Sequence, residues 1–217
     1  SQSNPQIRLT ILTKKQFAPL FRDIPLATVL LADFNKQHKG IFGLYTLSRQ
    51  IRKLNIDAVA DFHNVLRTKI LKYLLLGIEF SQIDKARSQK KALINGSSVS
   101  PLRPTTERYA DVFRNLGLSL SLKPLDFYIS KQLMPATLNT LKGFSNAVIG
   151  IAPFAAYASK SYPLSKMERV ITELQNDYKI LLFGGGLEES EQLTKLASKY
   201  ENVFSTAGKF SFEEELD

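Results

Sequence analysis

Between residues 147 and 193 the chain reads AVIGIAPFAAYASKSYPLSKMERVITELQNDYKILLFGGGLEESEQL, and few folds accept that run. A short apolar strand leads into a loop of small residues carrying one lysine, Lys160, and then the turn Tyr162-Pro163. An amphipathic helix follows, then a strand over 179–183, the triple glycine Gly184, Gly185 and Gly186, and a helix opened by acids. This is a βαβα unit. Strands joined through a helix lie parallel, and parallel sheets need both faces covered. In open α/β sheets ligands bind beyond the carboxyl ends of the strands, where both strand-to-helix turns of this unit sit. The unit predicts a nucleotide-diphosphate site.

The rest of the chain is consistent with an α/β class of one large or two small domains. It has 217 residues, 44% hydrophobic and 23% charged, with no apolar run near the length needed to span a bilayer. Zero cysteines exclude disulfides and thiolate metal sites and make the cytoplasm the expected compartment. The charge is divided unevenly. Residues 1–142 hold 22 Lys and Arg against 9 Asp and Glu, whereas residues 143–217 hold 7 against 11. A basic half joined to an acidic half predicts two domains, 1–142 and 143–217, of which the first attracts phosphates.

Along the basic half, strands are expected over 7–12, 27–31, 57–62 and 78–83, with Thr13 as the cap of a short helix. Helices are expected over 41–54, 65–76 and 106–116, the last closed by Gly117. A turn-rich loop fills 95–104. A strand or extended linker is expected over 122–129, a helix over 131–141, and a boundary at 143–146. Ser211 with Glu214 forms a capping box that announces one more helix. Both ends read as cut, and the chain reads as a fragment of a longer protein.

Several side chains offer chemistry. The triple glycine lets backbone approach a ligand closely, and it fits neither a Walker loop nor the spaced dinucleotide fingerprint. Glu188 and Glu189 after it repel phosphate but suit a ribose or sugar hydroxyl. Lys160 is the only cation between Lys142 and Lys166, well placed for a diphosphate and for charge building on a leaving nucleotide. In Asp61-x-His63-x-x-x-Arg67, Asp61 or His63 could serve as a general base and Arg67 as a phosphate clamp, although a strand-end Asp is more often structural. The loop 35–40, with Lys36, His38 and Lys39, joins Arg103 and Arg108 as a candidate for an anionic acceptor. Ligand spacing for a tightly held divalent metal is absent.

The segments Gly150-Ile-Ala-Pro-Phe-Ala-Ala, Lys160-Ser-Tyr-Pro, Met167-Glu-Arg-Val and Leu181-Leu-Phe-Gly-Gly-Gly with its two acids resemble glycosyltransferase family 9, the ADP-heptose–lipopolysaccharide heptosyltransferases. Gly208-Lys209-Phe210-Ser211 is similar to that family's next strand-to-helix turn. Ile56-Asp57-Ala58-Val59 running into Asp61, His63 and Arg67, and Glu107-Arg108-Tyr109 ahead of Leu116-Gly117, are similar to its acceptor side. The resemblance implies a GT-B fold of two Rossmann-like parallel-sheet domains, both incomplete here, with the active site in the cleft between them. It implies metal-independent transfer of heptose from ADP-heptose to the lipopolysaccharide inner core, with no cofactor because the ADP-sugar is a substrate. Donor binding falls on Lys160, Tyr162, Gly184, Gly185, Gly186, Glu188 and Glu189, and acceptor binding on Lys36, Lys39, Arg67 and Arg108. The family's hydroxyl residues in the lysine loop are replaced by Ala155 and Ala156. The presumed base, an aspartate, falls before Ser1 and a last donor motif beyond Asp217, so the fragment alone is expected to be inactive. The same resemblance implies a cytoplasmic protein with peripheral contact at the inner face of the inner membrane. No nucleic-acid partner is expected, because the aromatics sit at core periodicity and no basic-aromatic stripe of the kind that stacks bases is present. The alternatives are another nucleotide-sugar donor or acceptor, or a non-catalytic polyanion- or nucleic-acid-binding module.

Overall fold

The computed structural model describes residues 4, 6–24, 26–122, 134, 135, 139, 142 and 147–216. The chain divides into two compact units, Ser1–Tyr128 and Ile129–Asp217. The expected strand or linker over 122–129 and the helix over 131–141 lie almost wholly outside the described residues, as does the boundary at 143–146.

In the first unit β1 (Leu9–Thr13) is followed by a 3-10 helix, Lys15–Phe21, and by β2 (Ala27–Leu31). Next come α1 (Gly40–Arg52), β3 (Ala58–Asp61), α2 (Leu66–Leu74), β4 (Glu79–Gln82), α3 (Arg87–Ile94) and α4 (Thr105–Arg114). Each strand pair is parallel: β1 with β2 from Leu9↔Ala27 to Thr13↔Leu31, and β3 with β4 from Ala58↔Glu79 to Asp61↔Gln82. The two pairs form separate two-stranded sheets. Both feed one core. Leu44, Leu47 and Ile51 of α1 and Leu71 and Leu75 at α2 are buried against Leu30, Val59 and Phe80 of the strands. The spacing of the α1 residues at i, i+3 and i+7 makes this face helical.

Two local expectations are corrected here. Lys14, not Thr13, precedes the 3-10 helix, and no side chain caps it. Thr13 is instead the last residue of β1, in register with Leu31. Helix α3 was not foreseen. Its sequence RSQKKALI has no periodic apolar face, none of it is buried, and its first turn is entered from Ala86 in the left-handed region without a capping side chain.

The second unit is a three-stranded parallel sheet in the order β5 (Val148–Ile151), β6 (Lys179–Leu182), β7 (Val203–Ser205). Helix α5 (Leu164–Leu174) joins the first two strands, α6 (Gly186–Ala197) joins the next, and the short α7 (Phe212–Glu215) follows β7. Leu164, Met167, Ile171 and Leu174 lie on one stripe of α5 and pack into the core with Ile180, Leu182, Leu193, Leu196 and Val203. β6 is the central strand, and its Ile180 and Leu182 are wholly buried. Ser211 caps α7 as its capping box implies: its hydroxyl accepts from the Glu214 N–H, and its own N–H donates to the Glu214 carboxylate at 2.8 Å.

Leu182 ends the central strand, fully buried, while Leu187 five residues later is 86% exposed. Leu182→Ala is expected to cost about 2–5 kcal/mol in chemical denaturation, and Leu187→Ala less than about 0.5 kcal/mol. Equal effects of the two substitutions would contradict this placement of the core.

Candidate functional site

Register places the second unit's turns side by side. Ile151 pairs with Leu182 and Leu182 with Ser205, so β5, β6 and β7 end abreast and their three strand-to-helix turns share one rim of the sheet. This is the rim where an open parallel sheet receives ligands.

The first turn runs from Ala152 to Pro163. Residues Ala158–Lys160 form a single 3-10 turn, and the Lys160 N–H donates to the Tyr157 carbonyl at 2.9 Å. The Lys160 ammonium stands 5.5 Å from the centre of the Tyr157 ring, a cation–π contact that holds an exposed cation in place. Tyr162 is half exposed. Pro163 then opens α5, whose first turn has no acidic residue and no side-chain cap. The free N–H groups of that turn and Lys160 therefore present positive charge together.

The second turn is the triple glycine, and its three members do different things. A Cβ on Gly184 would stand 2.7 Å from the Leu193 side chain, so helix α6 packs onto bare backbone there. Gly186 has φ +79°, a left-handed conformation that lets α6 start. Gly185 faces open space and is required by neither constraint. Its N–H donates to Glu189 Oε2 at 2.9 Å. Of the two acids expected to meet a hydroxyl, Glu189 is thus engaged with its own loop, and Glu188 is the exposed carboxylate of the first turn of α6.

The third turn follows β7. Thr206 bonds through both its N–H and its hydroxyl to the Leu182 carbonyl, each at 2.9 Å, tying this turn to the end of β6. Gly208 lies against the start of α6, where an added Cβ would come within 3.4 Å of Ser190 Oγ. Lys209 is exposed one residue further on. The buried Ser205 hydroxyl at the strand end has no hydrogen-bond partner among the described residues. Neither Ser205 nor Lys209 was a candidate from sequence. The only available signal was the position of Gly208-Lys209 between a strand and a capped helix.

In the first unit an aspartate closes each of three strands by folding the backbone back on its own carboxylate. Asp33 Oδ1 accepts from the N–H groups of Asn35 and Lys36, each at 3.0 Å, and Asp84 Oδ1 from the Ala86 N–H at 2.8 Å. Asp61, only 6% exposed, accepts from the His63 and Asn64 N–H groups through Oδ1 and from Gln82 Nε2 through Oδ2. Burial alone raises its carboxyl pKa, but the hydrogen bonds from Thr68, Gln82, Asn64 and His63 outweigh it and hold the group below its ordinary value of 3.8. Asp61 is therefore a turn builder rather than a base. His63 is exposed.

The acceptor-side cations fall into two places. Lys36 and Lys39 are exposed on the loop after β2. His38 between them is buried: its Nδ1 accepts from the Asp33 N–H at 3.0 Å and its Nε2 lies 3.1 Å from Gln50 Oε1. These contacts tie the loop to the end of β2 and to α1. Arg67, in the first turn of α2, is half-buried and stacks on Phe34 at 3.8 Å. Arg108 stands apart, lining a polar hollow of about 730 Å³ with Gln82, Asp84, Gln89 and Asn115. It donates to the Thr105 hydroxyl at 2.7 Å and reaches the Asp84 carbonyl at 3.4 Å, and its buried Nε has no partner among the described residues. Arg103 also borders the hollow, but it is committed to Asp111 and Glu107. Hydrogen bonds from Arg114, seconded by Arg103, hold both of those carboxyls below their ordinary range.

Two units of parallel strands, with charged and glycine-bearing turns along the carboxyl edge, constitute the α/β fold of the GT-B glycosyltransferases. The family model described as glycosyltransferase family 9 (heptosyltransferase) matches residues 44–217, and the chain belongs to that family. Among solved structures it is similar to a family 9 glycosyl transferase from Veillonella parvula DSM 2008, with TM-score 0.72, 16% identity, and coverage of 97% of this chain and 63% of that one. It is also similar to the E. coli heptosyltransferase WaaC, solved with ADP, with TM-score 0.64, 20% identity, and coverage of 94% and 65%. The chain therefore spans less than two thirds of the length of either structure. No curated protein matches it significantly.

A carboxyl whose folded pKa is depressed stabilises the fold above its unfolded value and loses that contribution as pH falls through the folded one. Acid unfolding of the parent chain should steepen below pH 3.8, the ordinary value for Asp61. Asp61→Asn should start less stable at neutral pH and lose less on acidification. Parallel stability–pH curves for the two would contradict the role given to this carboxylate.

Proposed function

We propose that the chain is the larger part of a glycosyltransferase that moves a heptose from ADP-heptose to the inner core of lipopolysaccharide, without a metal ion. The observation that carries the donor side is the shared rim of β5, β6 and β7. There the exposed Lys160 and an acid-free helix start lie beside a glycine turn followed by the exposed carboxylate of Glu188. The first pair suits a diphosphate, and the second a ribose hydroxyl. Lys160 takes the diphosphate, Tyr162 flanks it, and Gly184 to Gly186 let the nucleoside approach backbone. Glu188 meets a hydroxyl while Glu189 supports the loop.

In the reaction the acceptor hydroxyl loses its proton to a base, an aspartate that this reading places outside residues 1–217. Its oxygen bonds to the anomeric carbon as the bond from that carbon to the β-phosphate oxygen breaks. ADP departs with the electron pair, and Lys160 with the N–H groups of α5 stabilises the charge gathering on it. On the acceptor side, Lys36 and Lys39 are exposed on the loop after β2, Arg67 stacks on Phe34 of that loop, and Arg108 lines its polar hollow. Both places suit an acidic, phosphorylated glycan. Such an acceptor is anchored in a lipid bilayer, so this reading includes peripheral contact with the inner face of the inner membrane and a cytoplasmic location.

Calorimetric titration with ADP tests the donor half. The chain is expected to bind ADP, and Lys160→Ala to weaken the affinity about 10-fold, the worth of one partly solvated charge-assisted contact. An unchanged Kd would remove the assigned role of Lys160.

A further inference from the structure

Helices α1 and α2 lie side by side over one core and run in the same direction. Arg67 at the start of α2 stacks on Phe34 just before α1, while Arg52 at the end of α1 donates to the carbonyls of Leu74 and Leu76 at the end of α2. Their inward faces are buried together, so their outward faces form one surface. That surface is unusual for an unpartnered helix pair. Phe42 is 89% exposed, Leu66 75% and Tyr73 74%, with Ile41, Tyr45 and Leu76 also largely exposed. Among these stand the exposed cations Lys39, Arg49, Lys53, Lys69 and Lys72. Neither Asp nor Glu occurs between Asp33 and Asp57 or between Asp61 and Glu79.

We propose that this face of α1 and α2 docks onto an anionic bilayer surface. The choice of a lipid surface rests on the lipid-anchored acceptor proposed above, while the face itself follows from exposure and charge. Large apolar and aromatic side chains interleaved with lysines and arginines are what an interfacial helix presents to headgroups and acyl chains. The core of a protein–protein interface, by contrast, is depleted in lysine. The complete lack of carboxylates across both helices removes the repulsion that an anionic surface would otherwise meet. The aromatic rings enter the headgroup boundary, and the flexible Lys and Arg stems let their charges stay at the phosphates.

Flotation with vesicles of phosphatidylcholine, with and without phosphatidylglycerol, tests this. The chain is expected to float with the phosphatidylglycerol vesicles, to float poorly with phosphatidylcholine alone, and to detach as salt rises. Replacing Arg49 and Lys69 together by Gln should weaken binding about 25-fold, from roughly 5-fold per cation. Phe42→Ser with Tyr73→Ser, at positions 89% and 74% exposed, should weaken it roughly 10-fold or more. Equal binding to both vesicle types, variants that bind like the parent, or self-association abolished by the same variants would overturn the proposal. ADP titration of each variant separates the two readings. Absent vesicle binding with normal ADP affinity sinks the docking surface and leaves the transferase reading standing. Absent ADP binding with normal vesicle affinity does the reverse.

Discussion

The parallel pairing of β5, β6 and β7 is the constraint on which the rest of the second unit depends. Parallel strands can be joined only by crossovers, so each strand must leave the sheet at the same edge before its helix returns along the face. Because Ile151, Leu182 and Ser205 stand in register, the three departures occur abreast. The buried residues that enforce this register, Ile180 and Leu182 from β6 with Ile171 and Leu193 from the flanking helices, carry no polar function. They allow the turns above them to hold an exposed lysine, a bare glycine and an exposed acid. Those features contribute nothing to the core and suit a charged, hydroxyl-bearing ligand.

The first unit solves the same geometric problem with aspartates instead of glycines. Asp33, Asp61 and Asp84 each turn the chain at a strand end by accepting backbone N–H groups. The Asp61 carboxylate is buried and engaged through both oxygens, and one oxygen each of Asp33 and Asp84 is spent on the turn. The charge asymmetry of the sequence thus has a structural counterpart. In the basic unit Asp33, Asp61 and Asp84 close turns and Glu107 and Asp111 pair with arginines, whereas Lys36 and Lys39 are exposed and Arg67 is half-buried on Phe34. Both buried polar side-chain atoms without a partner among the described residues, Arg108 Nε and Ser205 Oγ, sit at or beside strand ends.

The βαβα unit was legible because its apolar periods, its glycines and its proline all agree. Strand 27–31 matches β2 residue for residue, and the capping box at Ser211 and Glu214 forms. What escaped was whatever depends on tertiary partners. Helix α3 has no apolar stripe to reveal it. His38 reads as one member of a basic loop, yet it is buried against Asp33 and Gln50 as a structural brace. Glu188 and Glu189 are equivalent in sequence, and only the contact from Gly185 tells them apart. Arg103 and Arg108 look alike until Asp111 and Glu107 are seen to engage the first.

The central claim is that three adjacent turns of the second unit form one nucleotide site. Hydrogen–deuterium exchange of the chain with and without ADP tests it directly. The account predicts slowed exchange confined to the backbone of 157–166, 184–190 and 206–211, with the polar hollow around Arg108 unchanged. Protection centred on that hollow, or protection of only one of the three turns, would contradict it.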